Sequence, residues 1–291
     1  MDSAGIALRS LTDSRDTAKV GRQARLELVF ASRGGRTVLV HAYAEPPFRV
    51  GRWFAEGDGV HMILTSSAPG VFGGDRFQQL IVVEQGARVR LTSQSALQVH
   101  PSPEQEAAQL HASYQVDADA ELVCQWDPVI PFAKARFDQR VSVKLAATAR
   151  LLWSDAFMPG RASAQLSPDV DGGERWAFSE LTHELNVRRA GSLEYLERYR
   201  LSPSEQSLDS RWVGDAASYF GTILSSGRSA DSSAIRRLHE ALAACANVRA
   251  AADCLGEKLA IVRLMSGSGA RFHDARREAA SWLRTIVDQN R

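Results

Sequence analysis

The sequence predicts a mainly β protein that ends in a small α/β element. Two observations lead to this prediction. Short alternations of apolar and polar residues, the period of half-buried strands, recur through about the first 211 residues with turn residues between them. From about residue 212 onward, two segments instead carry apolar residues at helical spacing. A sandwich, a barrel and a solenoid all fit the strand pattern, because no strict repeat period is visible.

The strand-rich part consists of repeated strand–turn–strand patterns. Residues 23–30 alternate as a strand, and residues 32–43 read as a hairpin around Gly34-Gly35. Strand–turn–strand patterns then cover residues 79–100, 111–126, 136–157 and 178–201.

The C-terminal part predicts a helix over 232–245, with Ser232 or Ser233 as its N-cap, a strand over 257–266 and a second helix over 272–287. No linker rich in Gly, Ser or Pro divides the chain. We therefore expect one domain over 1–291, with a β-rich body to about residue 211 and the α/β element from about residue 212.

Composition is that of a soluble globular protein, with 44% hydrophobic and 24% charged residues in 291. The net charge of +1 gives no reason to expect nucleic acid or a membrane surface as a partner. No segment is apolar enough to span a bilayer or to act as a signal peptide, which predicts a cytoplasmic protein. The three cysteines are widely spaced without a CxxC, as expected for reduced thiols.

Familiar catalytic motifs are missing from the sequence. It contains no GxGxxG between strand and helix, no GxxxxGK[ST], no GxSxG and no HExxH. The seven histidines form no ligand pair at helical spacing. These observations argue against an enzyme.

The segment "SSAPGVFGGDRF", residues 66–77, places several Gly and Pro residues and a lone acid inside the β-rich part. Pro69-Gly70 and Gly73-Gly74 predict two tight reversals, and Asp75 suits an Asx-turn.

This segment also resembles the P-P-G-G-x-x-G-G-D-x-L motif of the urease accessory protein UreD (UreH) family. Further similarities follow in the family's order along nearly the whole chain. They lie at residues 35–58, 86–100, 120–137, 149–161 and 173–191, and in "KLAIVRLMS" with "WLRTIV" near the C-terminus. Val71, Ser93, Gln98 and His100 depart from the family pattern, and about eight extra residues separate Gly160-Arg161 from Gly173-Glu174.

The resemblance implies a stacked-strand, solenoid-like β architecture with two or more helices in its C-terminal α/β element. It also implies a scaffold protein without catalytic activity. Such a protein binds urease apoprotein and UreF, and through UreF the GTPase UreG, and nickel passes through it without a stably bound cofactor.

Three acids on matched positions, Asp75, Asp155 and Glu174, are the candidate nickel-contacting residues. Each also suits a structural role, as a turn former, an ion-pair member or the partner of an arginine. The other residues carried by the matched motifs are Pro69, Gly70, Gly73, Gly74, Thr92, Gln94, His100, Gly160, Arg161 and Gly173.

Two other classes of function remain open from the sequence. A β-rich hydrolase would use Asp75 and Glu174 as paired carboxylates, and both would have to line one concave site. A carbohydrate-binding domain would need exposed aromatic platforms, and aromatic residues make up only 8% of the chain.

Overall fold

A computed structural model describes residues 21–285, apart from residues 103, 105, 162–173, 212 and 228–230. Strands dominate it, and two helices, α1 (Ser232–Ala243) and α2 (Gly269–Thr285), lie near its C-terminal end. The predicted mainly β class with C-terminal helices is confirmed. Gly173, the extra segment at 162–172 and Ile286 of the predicted second helix lie outside the described residues.

The strands form two open sheets. Sheet 1 contains β1 (Gln23–Arg33), β2 (Arg36–Ala44), β6 (Arg76–Val83), β9 (Ala108–Val116), β12 (Arg136–Leu145), β14 (Glu180–Arg189) and β15 (Ser192–Leu201). Sheet 2 contains β3 (Phe48–Arg49), β4 (Trp53–Glu56), β5 (Gly59–Ser66), β7 (Arg88–Ser93), β8 (Leu97–Val99), β10 (Glu121–Gln125), β11 (Val129–Pro131), β13 (Arg150–Phe157), β16 (Tyr219–Ser226), β17 (Val248–Cys254) and β18 (Leu259–Ser266).

From β5 to β14 the chain passes back and forth between the sheets. The long strands on this path pair in parallel with the neighbouring coils, as in the series β6–β9–β12–β14 and β5–β7–β10–β13. Gly86, with φ of +71°, lies at one corner between the sheets, where a residue with a Cβ would be strained. This stacking confirms the solenoid-like architecture and rules out a sandwich of hairpins.

Antiparallel strands flank the parallel strands of sheet 1 at both edges. The predicted hairpin of β1 and β2 turns at Gly34-Gly35, and β14 and β15 form a second hairpin at Ala190-Gly191. At the other side, β16 pairs with β13, so the C-terminal element extends sheet 2. The division of the chain near residue 211 stays a prediction.

Helices α1 and α2 cover the outer face of sheet 2. Their apolar side chains pack on outward-facing residues of β10, β13, β16 and β18, with Leu238 and Phe272 fully buried in this layer. The N-cap prediction for α1 was wrong by one or two residues. Asp231 caps the helix, and its carboxylate accepts from the N–H (2.9 Å) and the hydroxyl (2.8 Å) of Ser233. A carboxylate at this end also complements the helix dipole.

Candidate functional site between the sheets

The interior between the sheets holds two cavities of about 530 and 400 Å³. The larger, cavity A, lies among β13–β18, and the smaller, cavity B, lies among β5–β9. Five residues line both cavities: Trp126, Asp127, Val129, Gln139 and Trp153. We call these five the shared wall, because each of them lines both spaces.

Asp155 and His183 face each other across cavity A. Asp155 lies on β13 and accepts a hydrogen bond from the indole N–H of Trp153 at 2.9 Å. His183 lies on β14, with its Nδ1 3.0 Å from the amide oxygen of Gln139 and its Nε2 3.9 Å from Oδ2 of Asp155. Because an amide oxygen only accepts, Nδ1 is the donor in this contact, and Nε2 is the ring nitrogen directed toward the carboxylate. A carboxylate oxygen and an imidazole nitrogen are both donor types that divalent metal ions take.

The rest of the polar lining of cavity A is internally paired. Arg263 lies 2.9 Å from Glu197, and Tyr195 bridges them, accepting from Arg263 at 3.1 Å and donating to Glu197 at 2.9 Å. The ring of Tyr199 stacks on His183 with centroids 5.0 Å apart. Burial, helped by Asp155 and Glu197, raises the pKa of Tyr199 well above its ordinary value. Tyr199 therefore stays neutral. Among the described residues, Asp155 forms no ion pair with an arginine or a lysine, and the same holds for Asp127 of the shared wall.

Helix α2 supports the shared wall from outside the sheets. The Arg276 guanidinium is only 8% exposed and donates to the Trp126 carbonyl at 2.5 Å and to the Ser154 hydroxyl at 2.8 Å. Asp127 is held by Ser93, whose hydroxyl accepts from the Asp127 N–H at 2.8 Å and donates to its carboxylate at 3.1 Å. Burial lowers the pKa of Arg276, and the charges of Asp155 and Asp127 oppose that change. An arginine remains charged even so.

His273, one turn from Arg276 on α2, gives this region a pH dependence. Burial, and then the charge of Arg276, lower its pKa below the ordinary value. The unfolded chain therefore binds the proton more readily, and stability should fall as the pH drops through the unfolded value of about 6.5. We expect the urea midpoint of the wild type to fall more between pH 7 and pH 5.5 than that of His273→Gln. Equal losses in the two proteins would contradict this assignment, and between pH 8 and pH 7 their difference should stay constant.

Asp75 lies in the glycine-rich turn and not in either cavity. Its carboxylate is 2% exposed and accepts from the backbone N–H groups of Arg22 (2.7 Å) and Phe72 (2.9 Å). Gly74, with φ of +84°, completes the turn, and a Cβ on Gly73 would press on Ser102. Both carboxylate oxygens thus accept from backbone N–H groups, one within the turn and one from the start of the described chain.

Glu174 is likewise held by its surroundings. Arg161 binds both of its carboxylate oxygens, with Nε 2.6 Å from Oε2. Gly160 comes so close to the backbone of Glu174 that a Cβ there would overlap its carbonyl. The residues on either side of the segment 162–173 therefore meet in space.

An aromatic stack connects these two turns. His100 lies between Phe72, parallel at 4.2 Å, and Phe132, edge-on at 5.1 Å. Arg161 lies 4.0 Å over the ring of Phe132, and Arg22 lies 5.7 Å over that of Phe72. The stack connects the Asp75 turn and the Glu174 turn along the corner where successive coils cross from sheet 2 to sheet 1.

The remaining motif residues are divided between cavity and surface. Pro69, Gly70 and Gln94 line cavity B. Thr92 instead pairs with His61 at 2.9 Å, away from both cavities.

The sequence interpretation did not single out Asp127, Gln139, His183 or Arg276. The strand pattern carried a signal for His183, because it occupies an inward position of β14 between outward-facing Thr182 and Glu184. Asp127 and Arg276 had no such signal, since Arg276 reaches this region only through its hydrogen bond to the Trp126 carbonyl, 150 positions away in the sequence.

The described residues contain no group of three or more His, Cys, Asp or Glu placed to hold a metal ion. Within the same residues, no helix is long and apolar enough to cross a membrane. None of the three cysteines, all of which lie among the described residues, forms a disulfide.

The fold and the site together define an open, two-sheet β-solenoid protein with two adjoining cavities in its interior, each lined mainly by apolar surface with a few polar side chains. The family model for the UreD urease accessory protein matches residues 22–291. The chain therefore belongs to the UreD urease accessory protein family.

Individual relatives agree with this assignment. A protein named urease accessory protein UreD from Sorangium cellulosum is 33% identical over 193 residues, which cover 66% of this chain and 59% of that protein. One of the same name from Halalkalibacterium halodurans is 30% identical over 266 residues, covering 90% and 94% of the two chains. A third, from Lysinibacillus sphaericus, is 27% identical over 209 residues, covering 70% and 74%.

Proposed function

We propose that this chain is a scaffold protein of urease maturation. It binds urease apoprotein and UreF, and through UreF the GTPase UreG, and nickel passes through it to the urease active site in the cytoplasm. The observation that carries this proposal is the family match over residues 22–291, which is a match to an accessory protein and not to a catalyst.

The two cavities supply a path for nickel in this proposal. Nickel moves along cavities A and B past the shared wall, and Asp155 and His183 are the side chains that it meets in cavity A. An oxygen and a nitrogen donor exchange a metal more readily than a closed set of thiolates would. No cofactor stays bound in this scheme.

Of the three candidate acids, we assign the nickel contact to Asp155. Asp75 is occupied by two backbone N–H groups, and Glu174 is occupied by Arg161. The same contacts weigh against a hydrolase with Asp75 and Glu174 as paired carboxylates, because each acid is already saturated.

Deletion of the gene from a cell that carries the matching urease operon tests the proposal. We expect urease protein to be present but nickel-free and inactive, and the restored wild-type gene to return both nickel and activity. The measurements are urease abundance, nickel per urease and urea hydrolysis. Fully metallated, active urease in the deletion strain would refute the proposed function.

A further inference from the structure

We propose that Arg276 is a positioning residue whose buried positive charge, held behind the shared wall, weakens the grip of Asp127 and Asp155 on a divalent cation. The inference rests on the proposed function, since it explains how nickel moves on instead of lodging between the cavities.

The hydrogen bonds of Arg276 place its charge near both acids. Its guanidinium binds the carbonyl of Trp126 and the hydroxyl of Ser154, the residues that directly precede Asp127 and Asp155. These two strands are neighbours, since Gln125 of β10 lies opposite Ser154 of β13. A single side chain of α2, on the outer face of sheet 2, therefore binds the residues next to both carboxylates.

The other charged groups around the shared wall leave Arg276 to set the net charge beside the two acids. Asp127 comes from the end of β10, Asp155 from β13 and His183 from β14, while Arg263 of β18 is neutralised by Glu197 of β15. On α2, Arg276 is buried, whereas the neighbouring Arg277 is exposed and pairs with Asp274, so Arg276 supplies the buried positive charge on that side. Arg276, Asp127 and Asp155 together carry one net negative charge. Without Arg276, the two acids would carry two.

A buried charge acts strongly here because little water screens it. Repulsion between the guanidinium and a divalent cation is larger in the protein interior than in water. Removing the charge while keeping the apolar stem should convert the region from one that releases a metal to one that retains it.

The test measures nickel affinity by competition with a chromophoric chelator, using the full chain purified as a fusion with a solubilising partner. We expect Arg276→Met to bind Ni²⁺ about tenfold tighter than the wild type, and Arg276→Lys to stay within about twofold of it. Adding Asp127→Asn to Arg276→Met should return the affinity toward the wild-type value. Arg277→Met is the matched control, because Arg277 is the exposed neighbour that pairs with Asp274, and its affinity should not change.

Wild-type or weaker affinity in Arg276→Met, or equal tightening in Arg276→Lys, would overturn the proposal. Thermal melts identify a variant that fails to fold. In that case Arg276→Gln, which keeps a donor for the Trp126 carbonyl, provides the neutral side chain. Asp127→Asn in the wild-type background tests the same balance from the other side, and unchanged nickel affinity there also counts against the proposal.

These measurements need no urease. Loss of the charge effect therefore refutes the role of Arg276 and leaves the maturation role standing. Active urease in the deletion strain would refute the maturation role and leave the affinities as measured.

Discussion

Asp75→Ala is expected to lower the free energy of unfolding by about 3 kcal/mol. The substitution leaves the N–H groups of Arg22 and Phe72 without an acceptor in a site where the carboxylate is 2% exposed. Each buried donor left unpaired costs about 1–3 kcal/mol. Urea denaturation, extrapolated linearly to water, measures the change.

Two further variants make the result specific. Asp75→Asn keeps one acceptor oxygen and should cost about half as much. Asp58→Ala removes an exposed carboxylate that pairs with Arg88 on the surface, and it should change stability by less than about 0.5 kcal/mol. If Asp75→Ala were as stable as the wild type but could not support urease activation, Asp75 would act on nickel and not on the turn.

The strands were predictable because their alternation is local. In β9, Leu110, Ala112 and Tyr114 point inward and their neighbours outward, a period-2 pattern that the sequence shows directly. Their pairing was not predictable in the same way. β9 pairs in parallel with β6 and β12, each reached only after a strand of the other sheet, and no short-range signal encodes such partners. The solenoid came from family resemblance.

The candidate site likewise contains some features that are local in the sequence and others that depend on long-range contacts. The turn around Asp75 was predictable only in part. The glycines mark it and the Phe72 N–H is a local donor, but that contact runs backwards along the chain and is not the predicted Asx-turn, and the second donor, Arg22, is 53 positions away. Asp155 was a candidate because it lies on a matched motif. Its neighbour His183 was not, since the two meet only when β13 and β14 face each other across the interior. A cavity is likewise a property of the gap between sheets and has no counterpart in the sequence.

Asp155→Asn is expected to reduce urease activation at least about tenfold while leaving the fold intact. The amide is nearly the same size as the carboxylate, and its oxygen can still accept from the Trp153 indole. What it loses is the negative charge opposite Nε2 of His183. Nickel per urease in cells that carry the variant gene is the measurement, with the variant's own abundance and melting temperature recorded beside it.

Asp138→Asn is the matched control for this change. Asp138 lies on β12, on the outer face of sheet 1, where it accepts from Thr182 at 2.7 Å and lies 3.1 Å from Arg140. It lines neither cavity, so its variant should activate urease as the wild type does. If both variants lowered activation equally, overall charge or stability would explain the loss. If only Asp155→Asn did so at unchanged melting temperature, the interior of the solenoid, and not its surface, would be the part of the molecule that handles the metal.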